Sequence, residues 1–133
     1  MPNSAAFSGN PVRLQFPTEH FDTEDMHSDT QNTERFTATR AGYYWISAGV
    51  EWNFSDNGAN GSRTLQIEYQ RPNEFPRAYP VSEVPGSTLR IVQQGGQLLY
   101  LNVDDSVYAR VFQTSGNTLD AHGTFFDAYW VGP

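Results

Sequence analysis

The chain has 133 residues, of which 38% are hydrophobic, with eleven glycines and eight prolines. This length suffices for one domain with a hydrophobic core but not for two. Fifteen acids against eight basic residues, all of them arginine, give a net charge of −7. That charge disfavours nucleic acids and anionic membrane surfaces as partners, because both would repel the chain. The absence of cysteine excludes disulfides, thiolate metal sites and a cysteine nucleophile.

The first ten residues are small and polar, and we interpret residues 1–10 as an N-terminal arm that orders only against a partner. A single domain is predicted over residues 11–133. Apolar and polar residues alternate from Val12 to Phe16, which predicts the first strand of that domain.

An acidic segment follows, with six acids between Glu19 and Glu34. Its carboxylates could supply oxygen ligands for a calcium ion. The spacing is not that of an EF-hand loop, because His27 stands where the sharp-turn glycine belongs. A solvated acidic loop without a cofactor is therefore the favoured interpretation. Calcium is the alternative, with the candidate ligands Asp22, Glu24, Asp25 and Asp29.

The segment from Arg35 to Trp52 organises the rest of the chain. Two runs of alternating residues, rich in aromatic and β-branched side chains, meet at Gly42. Period-2 alternation predicts two strands, and glycine suits the turn between them. The second strand carries large side chains on both faces, so we expect one face in the domain core and the other against another subunit.

Further strands are predicted by alternation at Thr64–Gln70, Leu89–Val92, Leu98–Val103, Val107–Gln113 and Thr124–Val131. Residues 71–86 contain four prolines, which excludes a central strand and favours a long surface crossover. The pair Gly95–Gly96 is expected to separate two strands. About eight short antiparallel strands with uneven loops and no helix indicate an all-β jelly-roll sandwich.

Three segments carry a resemblance to the complement C1q and tumour-necrosis-factor jelly rolls: Phe36–Tyr44, the turn Val103–Val107 and the aromatic last strand Phe125–Val131. The resemblance covers about Val12 to Gly132. It implies a homotrimer whose terminal strand packs near the threefold axis. The sequence departs from the family at the late turn, where Asp104 replaces the usual glycine.

The chain looks more closely similar to the C1q-like domains of phages and bacteria. The features that carry this likeness are Phe21–His27, Gly61–Arg63 and Trp130–Gly132. The family fold serves ligands, receptors and virion parts alike, so it implies no single function.

Aromatic side chains bury large areas and dominate interface energetics. We therefore predict that the trimer interface is built by Tyr43, Trp45, Tyr129 and Trp130. The alternative is that these residues fill the core of the monomer, since alternation separates two faces without saying which points inward.

No nucleophile-elbow pattern or phosphate-binding loop occurs, and the three histidines are scattered, so no enzyme is expected. The chain begins at Met1 and shows no collagen repeat, coiled coil or fibre shaft. This favours a free-standing trimer that docks on a larger assembly. The expected function is that of a phage virion component, such as a capsid decoration (cement) protein. The alternative is a carbohydrate- or receptor-binding head of a tail fibre or bacterial surface protein, located at the cell surface or outside the cell.

Overall fold

The computed structural model describes residues 4–6, 8–16, 21–22 and 35–133. These residues form two facing β-sheets and contain no helix. The strands are β1 (Ser4–Ala6), β2 (Val12–Arg13), β3 (Phe21–Asp22), β4 (Arg35–Thr37), β5 (Gly42–Trp52), β6 (Ser62–Gln70), β7 (Arg77–Pro85), β8 (Ile91–Leu101), β9 (Ser106–Gln113) and β10 (Leu119–Gly132).

Each sheet has four strand positions. Sheet A has the order β1-β10-β5-β8, and β3 lies further along the edge of β10 that β1 occupies. Sheet B has the order β2-β9-β6-β7, with β4 beside β9 in the same way. Ten segments therefore fill eight positions, and all pairings are antiparallel except that of β3 with β10. The predicted all-β jelly-roll sandwich of about eight strands is confirmed.

The core lies between the sheets, where alternate residues of every long strand point inward. In β5 these inward residues are Tyr44, Ile46, Ala48, Val50 and Trp52, all of them fully buried. Three phenylalanines bridge the layers, because the ring of Phe126 lies 5.2 Å from that of Phe16 and 4.6 Å from that of Phe36. The second contact is edge-to-face, the preferred geometry of aromatic pairs.

The proline-rich segment contains a strand, contrary to the surface crossover that its composition predicted. Strand β7 pairs with β6 alone and forms the edge of sheet B. An edge strand leaves alternate backbone N–H groups without a ladder partner, so it accepts proline where a central strand does not. Pro80 lies beside a register shift between Leu65 and Gln66 of β6. The prolines thus exclude a central position but not strand pairing.

Gly95 and Gly96 do not separate two strands, because β8 runs unbroken from Ile91 to Leu101. Both glycines accommodate close neighbours. A Cβ atom on Gly95 would lie 2.6 Å from the carbonyl oxygen of Val81, and one on Gly96 would lie 2.5 Å from the Trp45 ring. These positions require glycine for close approach within a strand rather than for a turn.

Part of the segment predicted as an arm pairs within its own chain. Strand β1 extends sheet A at the start of β10, and Ala6 is buried. The Gln113 side chain donates a 2.9 Å hydrogen bond to the Ala6 carbonyl. Composition alone does not reveal these partners. The domain boundary at residue 10 stays a prediction.

A polar network closes one end of the core. Trp52 Nε1 donates to Gln93 Oε1 at 2.8 Å, and the Gln93 amide donates to the Arg63 carbonyl at 3.2 Å. The Arg63 side chain is fully buried and donates to the carbonyls of Gly58 and Ser87. Burial lowers the pKa of Arg63, because the charged form loses solvation. This network attaches the loops around residues 58 and 87 to the core.

We expect Phe126→Ala to lower the free energy of unfolding by about 3–5 kcal/mol, because it leaves a cavity between Phe16 and Phe36. Phe75→Ala is the matched control, since the Phe75 side chain is 95% exposed. It should change the free energy by less than about 0.5 kcal/mol. Chemical denaturation measures both, and equal effects would contradict the core assignment.

Candidate functional site

The outer face of sheet A carries a row of large side chains that the β-ladder places side by side. Trp45 is paired with Tyr129 of β10 on one side and with Leu98 of β8 on the other. In the next row, Tyr43 is paired with Tyr100, and their rings meet edge-to-face at 5.1 Å. We call these five residues the aromatic face: Tyr43, Trp45, Leu98, Tyr100 and Tyr129.

Each of the five side chains of the aromatic face is between 37% and 47% exposed. Strand β5 is therefore buried on one face only within its own chain. Single exposed apolar residues are ordinary, but a contiguous patch of them marks an interaction surface. The cross-strand pairing makes this patch contiguous, so it is the candidate functional site.

Trp130 lies on the other side of sheet A from its neighbour Tyr129. It is paired with Tyr44 and packs against the core. Its Nε1 donates to the Ala41 carbonyl at 3.2 Å, and the Arg40 guanidinium lies 3.2 Å from the centre of its ring. The structure thus brings together three of the four predicted interface residues and places Trp130 at the end of the sandwich. The interface role of all four stays a prediction.

Sequence reasoning missed Leu98 and Tyr100 as members of this face. Their side chains alternate in phase with Trp45 and Tyr43 only if β8 continues through its two glycines. A strand divided at Gly95–Gly96 has no defined phase relative to β5. The available signal was the alternation of Leu98 and Tyr100 themselves, which share one face of a strand.

The opposite end of the outer face of sheet A is polar. Glu51 Oε1 lies 2.7 Å from Arg90 Nε, and Glu51 Oε2 lies 3.2 Å from His122 Nε2. Among the residues that the structure describes, no three histidines or acids lie close enough to hold a metal ion. This ion-paired cluster resembles the polar rim of an interface.

The proposed calcium ligands fall largely outside the described residues. This applies to Glu24, Asp25 and Asp29. For Asp22, in β3, the structure describes only the backbone, which pairs with that of Ala128 in β10. The calcium alternative stays a prediction.

The turn between β8 and β9 keeps a left-handed residue where the family has glycine. Asp104 has φ of 76°, which aspartate tolerates better than most residues other than glycine. The following carboxylate closes the turn, because Asp105 Oδ2 accepts a 2.8 Å hydrogen bond from the Asn102 amide. The departure at Asp104 therefore preserves a tight turn.

No known sequence family matches the chain, and no curated protein matches it either. Among solved structures, the globular domain of zebrafish complement 1qA protein superposes with a TM-score of 0.62. The match covers 96% of this chain and 89% of that one. The chain has the C1q-like jelly-roll fold. At 16% identity the likeness concerns the fold alone. The C1q and tumour-necrosis-factor resemblance of the sequence is confirmed at that level.

None of the described residues belongs to a helix that could cross a membrane.

The indole of Trp45 lies across the sheet over Gly96, and this contact gives a test of the aromatic face. We expect Gly96→Ala to destabilise the protein because its methyl group displaces the indole. In a Trp45→Ala background, the loss of unfolding free energy caused by Gly96→Ala should be smaller by about 1 kcal/mol, a typical coupling energy between contacting residues. Chemical denaturation of the four variants gives the coupling energy.

Gly95→Ala is the control for this cycle. Its Cβ would meet the backbone of Val81 instead of the indole, so its cost should not depend on Trp45. A cost of Gly96→Ala that is equal in both backgrounds would contradict the placement of Trp45.

Proposed function

We propose that this chain is a non-enzymatic structural and binding module that forms a homotrimer through the aromatic face and serves as a phage virion component. A capsid decoration protein is the role that fits best. The aromatic face is the observation that carries the proposal. The C1q-like fold supports a binding or structural module.

The composition of the outer face of sheet A supports assembly through it. Interfaces combine an aromatic-rich centre with a polar rim. The five side chains of the aromatic face supply such a centre, and the cluster of Glu51, Arg90 and His122 supplies charged groups beside it. Cross-strand pairing holds the aromatic side chains in place before association, which lowers the entropy cost of ordering them.

A further exposed feature supports docking on a larger particle. Phe75 lies in the turn between β6 and β7, with its side chain 95% exposed, next to Asn73 in a left-handed conformation. An aromatic residue presented on a tight turn can enter a pocket of a partner. The turn belongs to sheet B, so it remains accessible when sheet A is covered by neighbouring subunits.

The alternative function is a carbohydrate- or receptor-binding head on a phage tail fibre or a bacterial surface protein. A cavity on sheet B that is lined by Arg35 and Arg71 favours this alternative.

Light scattering should give a mass of about three times the 15.0 kDa of one chain. Trp45→Glu should yield monomers, because it buries an unpaired charge at the centre of the interface. Leu89→Glu is the matched control, since Leu89 is exposed in a loop outside the aromatic face. It should leave the mass unchanged. A monomeric parent chain would refute the trimer.

Quantitative proteomics of purified particles tests the virion role. We expect the chain to sediment with capsids at a copy number comparable to that of the shell protein. A few copies with tails would support the receptor-binding alternative instead. Recovery in the soluble fraction alone would contradict both. Phe75→Ala should reduce rebinding of the purified trimer to particles without changing its mass.

A further inference from the structure

Three arginines project from one part of the outer face of sheet B, although the chain as a whole is acidic. Arg13, Arg35 and Arg110 project from this face on β2, β4 and β9. Buried Glu68 is the acid among them, and it pairs with Arg13 at 2.5 Å and with Arg110 at 3.4 Å. The carboxylate of Glu68 is thus shared by two arginines, and within the described residues Arg35 has no such acid partner.

Arg35 lines a cavity of about 190 Å³ at one end of this face, together with Gln70, Arg71, Asp104, Ser106 and Tyr108. Three segments enclose it: the strand β4, the end of β6 and the turn that precedes β9. Ligand sites for drug-sized molecules occupy about 300–1,000 Å³. This cavity therefore has room for one group the size of a monosaccharide.

Two guanidinium groups face the cavity with donors to spare. Arg35 is half-buried, yet its guanidinium makes no hydrogen bond or ion pair with any other residue in the described part of the chain. Arg71 Nε lies 3.5 Å from Asp105 Oδ2 but is buried without a hydrogen-bond partner in the same part of the chain. Guanidinium donors are charged and make the stronger hydrogen bonds, so a ligand that accepts from the two arginines lining the cavity is stabilised.

The other wall of the cavity carries acceptors. Asp104 presents a carboxylate, and Gln70 and Ser106 present side-chain oxygens. The Asp104 carboxylate repels a multiply charged anion such as phosphate, but it accepts hydrogen bonds from hydroxyl groups. Arginine forks, by contrast, match the planar geometry of a carboxylate. The lining as a whole suits a ligand with one carboxylate and several hydroxyls.

We propose that this cavity binds a small hydroxylated carboxylate of the sugar-acid class. Arg35 and Arg71 hold its carboxylate, and Asp104 accepts from its hydroxyls. The cavity lies on sheet B and the aromatic face lies on sheet A. Ligand binding and assembly therefore involve different residues and can fail independently.

Glucuronate is the probe. Titration calorimetry and the amide chemical shifts of the intact protein measure its binding. Glucose tests the need for the carboxylate, and inorganic sulfate tests the need for the hydroxyls. We expect glucuronate to bind at least tenfold more tightly than either. Equal binding of glucose, or sulfate binding as tight as that of glucuronate, would overturn the proposal.

Arg35→Gln should weaken glucuronate binding at least tenfold, because it removes a guanidinium that lines the cavity. Arg90→Gln is the matched control: it makes the same change of charge beside β8 of sheet A, where Arg90 pairs with Glu51. It should leave binding unchanged. If Arg35→Gln does not fold, Arg35→Lys keeps the charge but not the fork and should still weaken binding severalfold. Equal effects at Arg35 and Arg90 would refute the site.

Asp104→Asn tests the other wall, and asparagine tolerates the left-handed backbone of this position. Removing the negative charge should strengthen sulfate binding and reduce the preference for glucuronate severalfold. An unchanged preference would show that Asp104 does not contact the ligand. Light scattering of the same samples reports the trimer separately, so loss of the ligand site is distinguishable from loss of assembly.

Discussion

The antiparallel ladder between β5 and β10 is the constraint on which the rest of this structure depends. It runs along all of β5, from Tyr43 to Trp52, through the centre of sheet A. Its register places Phe126 in the core and Tyr129 beside Trp45 on the outside. A shift of one residue would exchange these faces, so the same pairing specifies both the core and the candidate interface.

The second constraint is the close approach of aromatic rings to the backbone of sheet A, which glycine allows. Gly96 lies beneath the indole of Trp45, and Gly123 would place a Cβ atom 2.2 Å from the ring of Phe16. Both positions lie within strands of sheet A, where a side chain would displace a large aromatic neighbour. The rings of Trp45 and Phe16, on opposite faces of the sheet, thus have room because Gly96 and Gly123 carry no side chain.

The two outer faces of the sandwich differ in chemistry. Sheet A presents aromatic side chains that pair across strands, with an ion-paired cluster at one end. Sheet B presents arginines around the buried acid Glu68, and a cavity lined by Arg35, whose guanidinium has no partner among the described residues. A module with an apolar face on one sheet and an arginine-lined cavity on the other can assemble through the first and bind an anionic group through the second. This division separates the proposed assembly from the proposed ligand.

The fold class could be predicted from the sequence, because period-2 alternation with aromatic and β-branched residues indicates half-buried strands. The sequence also indicated Tyr43, Trp45, Tyr129 and Trp130 as one candidate set, since large residues on both faces of a strand require two environments. The structure places Trp130 on the other side of the sheet from the rest. Motif order further indicated the C1q-like jelly roll, which the superposition confirms.

Other properties depend on neighbours distant in sequence, so they follow from the three-dimensional arrangement of the strands and not from local pattern. The pair Gly95–Gly96 is typical of a strand end, yet both residues lie within β8, where Val81 and Trp45 approach them closely. Residues 77–85 contain prolines, yet they form a strand because the edge of sheet B tolerates missing donors. The cavity at Arg35 depends on residues about 35 to 70 positions further along the chain. Local sequence specifies the alternation of a strand, but not which strand lies next to it.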